Sequence, residues 1–169
     1  MAQIVNYVGI RDALINILKA ANTTTATYDL SNSLTTRIKD VTKLDLAIDP
    51  VAFTQYPIVS VRLDSKEEEH SDFGSGKTDR MVTLNTQIFC VCDSGNVSTA
   101  EDSLWTMVRN IEVNLRSNID LGGYNTSGAQ VIDIIPSNVI FKEIFNSDDS
   151  AYNKAARIDT KIHLHVSDV

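Results

Sequence analysis

A chain of 169 residues with 43% hydrophobic and 22% charged side chains has the composition of one globular domain, able to bury a core without metals or disulfides. Lys and Arg total 15 against 22 Asp and Glu, a formal charge of -7, which argues against a general nucleic-acid binder and its basic patch. It leaves room for a protein that must let nucleic acid pass without sticking.

The first residues, Met1 to Tyr7, show no basic region ahead of an apolar stretch, so no signal peptide is expected. No apolar run approaches the ~20 residues of a membrane helix. The Asn-x-Ser/Thr triplets at Asn22, Asn96 and Asn125 are then not expected to carry glycans.

From Asn6 to Ala21 the positions Ile10, Leu14, Ile17, Leu18 and Ala21 recur at helical spacing, with Arg11, Asp12, Asn16 and Lys19 mostly opposite. The β-branched run Thr23-Thr24-Thr25 ends this helix. Leu34, Ile38 and Val41 predict a short helix begun by Ser31 or Ser33, and Pro50 and Pro57 bracket an extended stretch. Past Pro57, Val59, Val61 and Leu63 alternate with Ser60, Arg62 and Asp64, the period of a strand. A second strand runs from Arg80 to Cys92, with Val82, Leu84, Thr86, Ile88 and Cys90 on one face. Between them, Ser65 to Asp79 is charged and then glycine-bearing, and predicts a hairpin with a long protruding loop over about 65–80, His70 included.

Cys90 and Cys92 fall on one strand face, where a disulfide between such near neighbours is badly strained, so buried free thiols of a reducing cytoplasm are expected. Ser98 and Glu101 have the spacing of a capping box for the next helix. Its stripe is Ala100, Leu104, Val108, Ile111 and Leu115, flanked by Trp105 and Met107, and it ends near Asn118. Leu121-Gly122-Gly123 turns the chain. Ala129 to Phe145 is extended, interrupted at Pro136-Ser137-Asn138 by a bulge or edge position, and turns at Asn146 to Ser150. In the last strand Ala156, Ile158, Thr160, Ile162, Leu164 and Val166 alternate with Arg157, Asp159, Lys161, His163 and His165, one face packed and the other wet or against a partner. The order of helix, irregular region, hairpin, helix, hairpin predicts a single α+β domain over 1–169, with a mostly antiparallel sheet packed against two helices.

Motifs with chemistry do not hold up. Gly76-Lys77-Thr78 ends like a P-loop, but Ser71 stands where the first glycine is required, and a strand rather than a helix follows. Asp72-Phe73-Gly74 copies a kinase triplet without the rest of that signature. His163 and His165 could hold a metal only with a third ligand that no spacing supplies; at a subunit contact they would make assembly sensitive to mildly acidic pH. Asp64, Glu67, Glu68, Glu69 and Asp72, with Lys66, Lys77 and Arg80 among them, read as a solvated tip or a docking arm rather than as paired catalytic carboxylates. No Ser/His/Asp arrangement is visible, so neither an enzyme nor a cofactor is expected.

This layout resembles the tail terminator (tail completion) family of long-tailed bacteriophages. The matching features are the N-terminal apolar helix from Ile10, the strand Tyr56-Pro57-Ile58-Val59-Ser60-Val61 and the charged hairpin from Lys66 to Arg80 returning through Val82 to Cys92. The helix from Ala100 to Leu115 follows, running into Asn118 to Gly123, and two closing strands end near His165. The stretch from Thr25 to Phe53 departs from the shortest members. The resemblance implies a virion protein assembled in the host cytoplasm, in a ring of six copies that caps the tail tube. Its implied partners are further copies, the tube protein, head-completion or neck proteins and the sheath protein where one exists, with DNA only in passage and no membrane. It also implies that hairpin and loop segments make the contacts, here Glu67, Glu68, Glu69, Lys77 and Arg80 in one and Asp148 and Asp149 in the other. A head-closure or other neck connector is the near alternative, and a small metal-dependent enzyme the distant one.

Overall fold

A computed structural model describes residues 5–43, 56–71, 79–94, 96–126, 128–144 and 152–167. Helix α1 (Tyr7–Ala21) starts where the Asn6 side chain accepts a hydrogen bond from the Gly9 amide at 2.9 Å, satisfying one of the donors that a helix start leaves open. Ile10, Leu14, Ile15, Leu18 and Ala21 form its buried stripe.

The helix expected from Leu34 to Val41 is absent. The chain instead turns through 22–33 and enters a short strand, β1 (Asp40–Thr42). Tertiary partners outweigh the local periodicity. Asn22 donates to the Ile38 carbonyl at 2.7 Å, and its side-chain oxygen accepts from the Ser31 hydroxyl. The Ser31 hydroxyl in turn accepts from the Ile38 amide at 3.0 Å. Leu30, Ile38 and Val41 are buried by these turns rather than by a helical stripe.

The remaining strands are β2 (Ile58–Ser71), β3 (Asp79–Ser94), β4 (Asn125–Thr126), β5 (Ala129–Ile144) and β6 (Tyr152–Ser167), with α2 (Val97–Ser117) between β3 and β4. They form one sheet in the order β1-β2-β3-β6-β5-β4, antiparallel at every step except the parallel pair β1–β2. Both helices pack on one face, which makes the α+β layering expected from the sequence.

The loop expected over about 65–80 is corrected at both of its ends. β2 continues to Ser71 and β3 begins at Asp79, so Glu67, Glu68, Glu69 and His70 sit on a strand, and only 72–78 of the segment lie outside the described residues. Charged side chains do not end the strand because they alternate too. Lys66, Glu68 and Arg80 share the face of Leu84 and Val82, while Ser65, Glu67 and Glu69 share the other.

The Ser98 cap is also corrected. Asn96 is the N-cap of α2, in extended conformation, accepting from the Ser98 amide at 2.9 Å. Met107, expected on the flank, is fully buried beside Leu104, Val108, Ile111 and Leu115, whereas Trp105 is exposed. From the outer side α2 clamps the preceding turn. Asn114 donates to the Tyr28 carbonyl at 2.6 Å, and Asn110 donates to those of Leu30 and Asn32 at 3.0 and 2.8 Å. Leu121, Gly122 and Gly123 all take positive φ, which explains two glycines there.

Pro136 is accommodated as expected. β5 pairs with β4 only at Ala129 and Gln130, and its register against β6 shifts between Pro136 and Asn138. Cys90 and Cys92 are free and buried. Burial pushes both thiols up, Cys92 to about 12 with help from Asp93, so neither is a reactive thiolate near neutral pH.

Two measurements check this packing. Ile111→Ala, at a site with no exposure, is expected to cost about 2–5 kcal/mol in urea unfolding with an unchanged slope. Asn96→Ala should cost about 1 kcal/mol and Ser98→Ala under about 0.5 kcal/mol, the reverse of what a capping box at Ser98 requires.

Candidate functional site

The β2–β3 hairpin carries a cluster of charges. Glu68 lies between two cations, 2.7 Å from Lys66 Nζ and 2.7 Å from Arg80 Nη1. Those bonds, Lys66 first and Arg80 second, hold its carboxyl down at about 2. Lys66 is raised in turn, by Glu68 and then by the Tyr7 hydroxyl, and its ammonium stands 5.9 Å from the centre of the Tyr7 ring. This end of the hairpin is therefore tied to the start of α1.

Glu67 and Glu69 point the other way and are exposed. Among the described residues, Glu67 accepts only from the neutral Asn85 amide, at 3.0 Å. Of the proposed contact residues, the structure thus groups Glu68 with Arg80, sets Glu67 and Glu69 on the opposite face, and leaves Lys77, Asp148 and Asp149 outside the described residues.

His163 and His165 share the sheet face turned away from the helices, but they do not converge. His163 Nδ1 is 2.6 Å from Asp133 Oδ1 on β5, and His165 Nε2 is 3.4 Å from Asp79 Oδ2 on β3. Among the described residues no group of three His, Cys, Asp or Glu is arranged to hold a metal ion.

Several features of this far face escaped the sequence. Arg62 donates to Gln87 at 2.8 Å, lies 3.3 Å from Asp64 and stands over the Phe89 ring, and Arg157 pairs with Asp159 at 2.9 Å. Alternation alone marks these as polar-face residues; only the strand order makes them neighbours. At one end Ile58, Val91 and Ala155 form a small second apolar cluster with Tyr56 and Phe89. A shallow cleft of about 320 Å³ lies where β2 and β5 both bulge, lined by Asp64, Asn85, Gln87, Ser137, Arg157 and Lys161.

On the helix side, a groove of about 580 Å³ runs between the 24–33 turn and the outer face of α2, with Tyr28, Asn32, Arg109, Asn110 and Val113 on its walls. Asp29 also lines it. Burial alone would raise that carboxyl, but two hydrogen bonds from Arg37, at 2.9 and 3.1 Å, and one from the Ser31 amide bring it below its ordinary value. Near the middle of α2 the exposed Trp105 stacks on Phe141, ring centres 4.0 Å apart.

The Glu68 cluster has a pH signature. A depressed carboxyl adds stability above its free value of 4.5, and that contribution is lost as pH falls from there toward 2. The gap in thermal midpoint between the parent and Glu68→Gln should stay constant above pH 4.5 and close below it; a gap that persists near pH 2 contradicts the assignment.

No protein-family model matches the chain, and no curated protein matches it. Among solved structures it is similar to a chain from the virion of a native gene transfer agent particle, at 11% identity and a TM-score of 0.48, over 97% of this chain and 100% of that one.

Proposed function

We propose that the protein is a non-catalytic virion assembly protein, a tail terminator whose copies form a ring, six in number, that ends a phage tail tube and joins it to the head or neck. The observation that carries the reading is the charged end of the β2–β3 hairpin. It runs as paired strands to Ser71 and Asp79, is fixed by the Lys66–Glu68–Arg80 cluster, and presents Glu67 and Glu69 to solvent. These charges make no contribution to the core, which both helices and the other sheet face already fill. A polar surface held in paired strands suits docking, because little ordering entropy is lost on contact.

Element order adds support. The chain runs helix, hairpin, helix, hairpin, as the resemblance to tail terminators requires, with short β1 and β4 at the sheet's margins. The net charge of -7 is compatible with a passage for DNA, which it repels rather than binds. The proposed partners are further copies of the chain, the tube protein and head-completion proteins.

The test is a nonsense mutation in the gene, in the phage that carries it, with lysates viewed by electron microscopy. Overlong or unjoined tails beside full heads are expected. Normal virions would sink the proposal.

A further inference from the structure

Exposed apolar surface gathers along the β5 side of the molecule. Trp105 and Phe141 remain 54% and 38% exposed although they stack on each other, and Ile132 and Ile135 are exposed farther along the same strand. β4 pairs with β5 only at Ala129 and Gln130, so among the described residues no strand screens Phe141 from outside. Phe141 pairs with buried Ala156 on the face that the helices cover, which makes its ring a platform for the indole. A tryptophan held in this way keeps its orientation before any partner arrives, and rigid exposed aromatics anchor protein interfaces.

The charges beside the stack decide what it fits. Glu101, Trp105 and Arg109 follow one another at i, i+4 and i+8 on α2, so they lie in one line along the helix. The carboxylate stands about 6 Å before the indole along the axis and the guanidinium about 6 Å after it. All three side chains are exposed, and neither Glu101 nor Arg109 has an ion-pair partner among the described residues. Turned end for end about the indole, this line maps acid onto base. A second copy related by a twofold axis through Trp105 therefore sets Glu101 against Arg109 twice and indole against indole, with no like charges opposed. A wholly acidic, basic or apolar partner would leave one of these charges opposed or unpaired.

We infer that the free chain pairs with a second copy of itself through this surface. The two α2 helices run antiparallel, Trp105 and Phe141 of each copy meet in the middle, and a Glu101–Arg109 pair closes either end. A twofold contact uses the same patch on both copies and is not the repeating contact of a ring, so the pair is a state of the chain outside the tail, in which this apolar surface is covered. Its existence does not depend on the ring proposed above. The contact centres on two aromatic side chains per copy, less than stable interfaces bury, so the pair is weak and reversible.

Trp105 is the single tryptophan of the chain, and its emission reports on the contact directly. Sedimentation velocity of the purified chain, in a dilution series up to about 1 mM, should shift toward the dimer with a matching blue shift of the emission. Glu101→Arg and Arg109→Glu should each raise the dissociation constant by about 10-fold or more, since each opposes like charges at both ends of the contact. The two variants mixed, and the chain carrying both substitutions, should recover pairing, because either arrangement sets acid against base again. Trp105→Ala should abolish pairing while circular dichroism and the thermal midpoint stay near those of the parent, the indole being exposed. A chain that stays monomeric throughout the series, a dimer indifferent to the single reversals, or a mixture that fails to recover overturns the inference. Each of these results leaves the terminator reading in place, which the nonsense mutation tests separately.

Discussion

The structure depends on the pairing of β3 with β6. Every residue from Asp79 to Ser94 has a partner on β6, from Ser167 back to Tyr152, without a bulge. That register puts Val82, Leu84, Ile88 and Cys90 beside Leu164, Ile162, Ile158 and Ala156, all buried on the face that α1 and α2 cover. A slip of one residue would turn this set outward and bring Arg157, Asp159 and the histidines under the helices, a cost no loop adjustment offsets. Irregularity is confined to the outer strands, near Asp64 in β2 and near Ile132 and Ser137 in β5. Buried Thr86 and Thr160 face each other in the middle of the central pair, a polar step between the Leu84–Ile162 and Ile88–Ile158 pairs.

The parts of the fold legible in the sequence are those where burial and period coincide. β6, β3 and the stripes of α1 and α2 read directly, because each buries one side chain set against the same layer. Three misreadings have separate physical causes. Leu34, Ile38 and Val41 have helical spacing, but Asn22, Ser31 and Arg37 supply a better set of hydrogen bonds to a non-helical chain, and those partners are distant in sequence. Residues 65–71 look like a loop because charge hides the alternation; the strand survives since Glu68 meets Arg80 across it. Ser98 and Asn96 are both good capping residues, and only the extended backbone at Asn96 decides between them.

The candidate site was legible in kind rather than in detail. Glu67, Glu68 and Glu69 read as one acidic run, yet consecutive residues of a strand point to opposite faces, so the run divides into a structural carboxylate and two surface ones. The α2 groove gave no sequence signal. Arg109 is one of two arginines on α2, and its setting depends on the 24–33 turn that Asn110 and Asn114 hold in place.

Assembly by strand addition was the other route open to such a sheet, and the edges argue against it. An exposed edge strand pairs readily with another chain unless it is blunted. β2 is blunted by β1 across Ile58–Ser60 and by the charges from Arg62 to Glu69. β5 is blunted by β4 across Ala129 and Gln130, by two register shifts, and by Pro136, which has no amide to donate. Both edges thus disfavour sheet continuation between copies, which also protects the free chain from aggregation. In the proposed ring, contacts between copies then fall to side chains on the two broad faces, where partner choice is set by charge and shape rather than by the unselective hydrogen bonding of a strand edge.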